Sequence, residues 1–166
     1  MSARIHIASL LAAGLALGLS GCGSSGAPPA SINNRARLDG PLPLNPLEWK
    51  AIESSIDRRE STMSTLYGND AAAQCARRGG RDYPAGATLA LVTWTEQDDP
   101  LWFGGKIPGP AKSVEFVRVT PGEGGRPSYA YEKYQGTPLA PAPPLDGQAS
   151  EARAAYLLSL RAAVLP

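Results

Sequence analysis

Two hydrophobic periods alternate along the chain. Between residues 61 and 68, STMSTLYG places Met63, Thr65 and Tyr67 on one side of an extended strand and Thr62, Ser64 and Leu66 on the other. Residues 87–95, ATLALVTWT, are apolar on both sides, with Leu89 and Leu91 opposed to Ala90, Val92 and Trp94. That is the pattern of a central strand covered on both faces. SVEFVRVT and SYAYEKYQ flank PGEGGRP and predict a hairpin. Tyr129 and Tyr131 share one of its faces, Glu132 and Tyr134 the other.

The period changes to helical over NDAAAQCARRGG, residues 69–80. Asn69 or Asp70 can cap the N-terminus, the alanines favour the helix, Arg77 and Arg78 suit its negative end, and Gly79 or Gly80 can stop it. Ala71, Ala72, Cys75 and Ala76 lie near one another on this helix, which reads Cys75 as a small buried hydrophobe. SEARAAYLLSLRAAVL predicts a terminal helix. Its stripe of Ala154, Leu157, Leu158 and Arg161 either packs on the parent domain or forms a dimer contact. The expected fold class is α+β, mainly an antiparallel β-sheet with one or two covering helices.

The first residues follow neither period. Arg4 precedes an apolar run from Ile7 to Leu19, too short for a spanning helix of about 20 residues and of signal-peptide length. It ends in Leu19-Ser20-Gly21-Cys22, which resembles the lipobox of bacterial lipoproteins. The resemblance implies a signal peptide over 1–21 and a Cys22 carrying acyl chains such as palmitate. Each buried CH₂ contributes roughly 0.8 kcal/mol, and one chain alone holds only marginally. Gly23, rather than Asp, follows the cysteine, and the usual sorting rule then points to the outer membrane, with the domain facing the periplasm. Residues 22–46, rich in small residues and proline, read as the lipidated cysteine and a flexible tether. A domain over 47–138 follows, then a proline-rich segment and the terminal helix over 139–166.

Processing at Cys22 narrows the chemistry. His6 is the single histidine, and it leaves with the signal peptide. Histidine-based triads and histidine-ligated metals are thereby excluded. With Arg4 gone, the remaining basic residues equal the 15 acidic ones, which argues against nucleic-acid binding. Cys75 becomes the only thiol of the domain, so no disulfide and no Cys-x-x-Cys pair can form.

TMSTLYGNDAA, then YPAGATLALVTW, then YEKYQGTPL together resemble the cytochrome P-460 domain family. The positions that carry the resemblance are Tyr67, Gly68, Asn69, Ala72, Tyr83, Pro84, Gly86 and Trp94, with Trp49 opening the domain. The resemblance implies a largely β, homodimeric, periplasmic haem protein acting on hydroxylamine or nitric oxide. In that family the haem is attached through a C-terminal Cys-x-x-Cys-His, and EARAAYLLSLRAAVL holds neither cysteine nor histidine. Covalent haem is therefore not expected. No motif selects a haem-linking lysine among Lys50, Lys106, Lys112 and Lys133.

Three readings follow: a haem-free relative using its pocket for a small ligand, a non-covalent haem protein ligated by Met63, Tyr67, Cys75 or a lysine, or a structural envelope lipoprotein. Trp94, Trp102 and Phe103, together with Tyr67, are the candidate ligand-binding residues, since aromatics beside Glu96, Asp98, Asp99 and Lys106 have the composition of small-ligand sites. The alternative is that Trp102 and Phe103 plug one end of the sheet. Asp98 and Asp99 lack calcium-loop spacing, and GGKIPGP reads as a turn. No catalytic residue is assignable. A catalyst would need a base such as Glu96, Asp98 or a lysine.

Overall fold

Strand and helix signals take their places along a single antiparallel meander. In the computed structural model, which describes residues 33–162 apart from Glu123 and Gly125, six strands lie side by side in chain order. They are β1 (Lys50–Asp57), β2 (Thr62–Gly68), β3 (Thr88–Asp98), β4 (Lys106–Pro121), β5 (Pro127–Gln135) and β6 (Ala140–Pro141). Helix α1 (Asp70–Arg77) is inserted between β2 and β3, and α2 (Gly147–Ser159) follows β6. The α+β class with an antiparallel sheet and covering helices is the observed one.

The local signals work as their chemistry requires. The Asn69 side chain accepts from Ala72 N at 3.0 Å and caps α1. It also accepts from Thr88 N at 3.2 Å, so the same amide ties the helix start to the first residue of β3. Gly68 permits the close approach of helix and sheet, because a Cβ there would meet Ile52 Cδ1 at 2.6 Å and Ala72 Cβ at 2.9 Å. Asp146 caps α2 through Ala149 N at 2.7 Å. That helix packs Ala154 and Leu157 onto its own sheet and stops at Ser159, short of the sixteen-residue run that the pattern suggested.

The sheet divides the core into two clusters. One joins Leu66, Leu89, Leu91, Val117 and Val119 to α1 and α2. The other joins Ala90, Val92, Trp94, Val114, Phe116 and Leu139 to Trp49, Tyr67 and Tyr134. In the second the rings meet edge to face: Trp49 on Phe116 at 6.3 Å, Tyr67 on Trp94 at 6.5 Å, Phe116 on Tyr134 at 5.9 Å.

Two expectations need correction. Residues 33–46 are not a free tether: Ala36, Leu38 and Leu42 pack against the aromatic cluster. Trp94 Nε1 donates to Ala36 O at 2.9 Å, and Leu139 N donates to Asp39 O at 2.7 Å. The cause is the aromatic face left uncovered by α1 and α2, both of which pack on the other cluster. Secondly, the residues read as a turn in GGKIPGP form, from Lys106 on, the start of β4. Proline is tolerated there because β5 reaches only to the Ser113–Gln135 pair, leaving Lys106–Lys112 with β3 alone as a partner. Strand β1 escaped the sequence pattern, since it is an edge strand with only Ile52 buried. The signal-peptide and lipidation readings, including Cys22, fall outside the described residues.

Candidate functional site

Register across the strands turns scattered hydroxyl residues into a row. Ser55 pairs with Ser64, Ser64 with Thr93, Thr93 with Ser113, and Ser113 with Gln135. Cross-strand partners point to one face, so four adjacent strands present hydroxyls side by side on the face that carries Leu66. Ser64 and Thr93 share a hydrogen bond of 3.0 Å. The neighbouring row is Glu53, Leu66, Leu91, Glu115 and Lys133.

Above these rows stands α2. Glu115 is 3% exposed and is met by Arg153 in a two-pronged contact, Nε to Oε2 at 2.6 Å and Nη2 to Oε1 at 2.8 Å. Tyr131 donates its hydroxyl to the same carboxylate at 2.7 Å. Burial pushes the Glu115 carboxyl up, but the hydrogen bonds from Arg153 and Tyr131 outweigh it and hold the group below its ordinary range. Burial and the hydrogen bond to Glu115 push the Tyr131 phenol up, and Glu115 raises Arg153. The Arg153 guanidinium also lies 4.7 Å from the centre of the Tyr156 ring.

Between α2 and the β1–β2 hairpin this leaves an open cleft of about 820 Å³. Its floor includes Ser55, Thr62, Ser64 and Thr93; Arg153, Tyr156 and Leu160 form the helix wall. The rim is the turn after β1, which brings Arg58 and Arg59 to the opening. Asp57 shapes that turn by accepting from Arg59 N at 2.9 Å and Glu60 N at 3.2 Å. Among the described residues neither Arg58 nor Arg59 forms a side-chain ion pair, so two guanidinium groups stand unpaired beside a floor of hydroxyls. Such a surface can take an oxyanion in charge-assisted hydrogen bonds.

The structure separates the residues singled out from the sequence. Trp94 and Tyr67 meet, but as packed members of the aromatic face, with the Trp94 ring nitrogen committed to Ala36. Trp102 and Phe103 plug no end of the sheet: they are exposed on the β3–β4 loop. Met63 pairs with Trp94 and lies on the aromatic face. Cys75 is buried beneath α1 on the opposite face, its Sγ directed at Asp82 O at 3.6 Å. Met63 and Tyr67 therefore cannot share one iron with Cys75.

The donor set in the cleft does not fit haem either. No histidine, methionine or cysteine lines it, its one tyrosine, Tyr156, has its ring under the Arg153 guanidinium, and hydroxyls interrupt Ile56, Leu91 and Leu160 where a porphyrin needs an apolar slot. Among the described residues no cluster of three histidine, cysteine or acidic side chains could hold a metal ion.

Sequence reasoning missed Glu115, Arg153 and the hydroxyl row. An acidic residue at the inward parity of SVEFVRV, shared with Val117 and Val119, was the available signal for the first. Register alone assembles the row. No curated protein matches the chain. The family model for cytochrome P460 matches residues 47–141, from the turn before β1 through β6. That stretch is more than half of the sequence and spans the whole sheet, so the chain belongs to the cytochrome P460 family.

Proposed function

We propose that this protein is a lipid-anchored envelope protein whose P460 domain binds a small anionic organic ligand, without covalent haem, in the cleft beneath α2. Membership in the family implies association with haem. The residues of this chain favour another guest. The observation that carries the reading is a hydroxyl-lined floor with Arg58 and Arg59 at its rim, neither of which forms an ion pair among the described residues. The guest is one bearing a carboxylate, sulfonate or phosphate group, with Tyr156 and Leu160 offering an apolar wall. The lipid anchor is supported by Leu19-Ser20-Gly21-Cys22 after the apolar run. The reading describes binding; it assigns no base or nucleophile.

Calorimetric titration with succinate, citrate, inorganic phosphate and haemin tests it. A saturable signal is expected with at least one of the three acids, raising the melting temperature by mass action. Replacing both Arg58 and Arg59 by alanine should abolish that signal and leave the unfolding midpoint in the absence of ligand unchanged. A stoichiometric Soret band with haemin that survives gel filtration, alongside silence with all three acids, would replace this reading with a non-covalent haem protein. Silence with all four probes would favour a structural lipoprotein.

A further inference from the structure

The loop joining β3 to β4 reverses the usual distribution of apolar side chains. Leu101, Trp102 and Phe103 are consecutive and 79%, 74% and 104% exposed. The loop is closed by its own hydrogen bonds: Asp99 N donates to Gly105 O at 3.0 Å, Gly105 N to Trp102 O at 2.9 Å, and Leu101 N to Asp99 Oδ1 at 2.8 Å. Lys106 clasps Asp98 at 2.6 Å at its base. Three large apolar groups are thus held outward on an ordered turn.

A second observation concerns where the folded domain begins. Asn33 donates its side-chain amide to Pro108 O at 2.6 Å, and Arg35 reaches Gln97 Oε1 at 3.3 Å. Both acceptors lie within the three residue pairs of β3 and β4 nearest the loop. The N-terminal end of the domain and the aromatic tip therefore occupy the same end of the sheet. Only residues 23–32 separate Asn33 from Cys22. Ten residues of chain reach at most about 40 Å when fully extended.

We propose that Leu101, Trp102 and Phe103 insert into the headgroup–acyl boundary of the bilayer that holds Cys22, making a second membrane contact that orients the domain. The inference rests on the lipid-anchor reading of Cys22. Tryptophan and phenylalanine suit that boundary, where an apolar body can be buried beside polar headgroups. The charges around the tip are mixed: Glu96, Asp98 and Asp99 accompany Arg35 and Lys106. The contact is therefore hydrophobic and indifferent to the fraction of anionic lipid.

The test uses the full chain, purified from membranes and reconstituted into phosphatidylcholine vesicles with and without phosphatidylglycerol. Trp102 is a built-in reporter, because Trp94 is buried and Trp49 half-buried. Insertion predicts a blue-shifted emission and quenching by brominated lipid, equal in both vesicle types and absent in Trp102→Ser. The double variant Leu101→Ser/Phe103→Ser, which retains the reporter, should lose most of the quenching with unchanged circular dichroism. Free access of iodide to Trp102 with no quenching by brominated lipid overturns the proposal. Shielding from iodide without lipid quenching, with a doubled mass in detergent, overturns it in favour of a second copy covering the tip. The mass of the Cys22 peptide is read separately. A missing acyl mass overturns the anchor reading, and the loop is then judged by the same quenching of the unacylated chain added to vesicles.

Discussion

The two faces of this sheet are made by the same strands and use them differently. On one face Trp94, Phe116 and Tyr134, with Val92 and Val114, form a continuous apolar surface sealed by residues 33–49 and Leu139. On the other, apolar packing under α1 and α2 gives way to Glu115 and then to the hydroxyl row. The first face has its side chains committed to one another. The second is incompletely covered, and its polar half lies open beside α2. A sheet covered by helices on one side and by extended chain on the other can thus leave a polar cleft open while its core stays packed.

Breaking the sealed face should have the largest effect. Phe116→Ala removes a fully buried ring that contacts both Trp49 and Tyr134, and a loss of about 3–5 kcal/mol is expected in urea unfolding. Arg153→Ala attacks the other face by leaving the buried Glu115 carboxylate with the Tyr131 hydroxyl as its remaining hydrogen-bond donor. Because Arg153 is 37% exposed, the expected loss is about 2–3 kcal/mol, at or below the lower end for buried pairs.

The same network makes the open face sensitive to acid. Glu115 has a lowered pKa in the folded state. Its contribution is therefore complete above the unfolded-state value of about 4.3 and is lost as pH falls through the lower folded value. Unfolding midpoints measured from pH 6 downward should decline below about pH 4.3, and Glu115→Gln should flatten that decline.

Smaller effects sharpen the contrast. Trp94→Phe keeps most of the ring but leaves Ala36 O without its donor. The cost is about 1 kcal/mol, and hydrogen exchange should locate it in residues 33–49. Trp102→Ser, on the exposed loop, should change stability by no more than about 0.5 kcal/mol.

Much of the fold was legible because period 2 and the Asn69 cap are local signals. The strand at 62–68, β3 as far as Thr95, the β4–β5 hairpin and α1 follow from them, whereas the end of β3 and the start of β4 were read as loop. The strap over residues 33–46 was not legible. Its Pro and Gly content resembles a linker, and only the uncovered aromatic face explains why it folds back. Gly40, at φ 144°, illustrates the point: it lies so close to Leu139 O that a side chain would collide. The candidate site was less legible. Trp102 and Phe103 drew attention by composition, which cannot say whether a ring points inward. Ser55, Ser64, Thr93 and Ser113 are unremarkable until pairing places them in a row.

The strap also decides how the domain would respond to mechanical load. A pull on the chain upstream of Asn33 meets the Asn33–Pro108 contact first, then the Trp94–Ala36 bond, then the packed Leu38 and Leu42, before it reaches β1. These contacts belong to different strands of the sheet. The edge strand β1, which could otherwise be unzipped one hydrogen bond at a time, is shielded from tension by a segment that must first be peeled from the aromatic face.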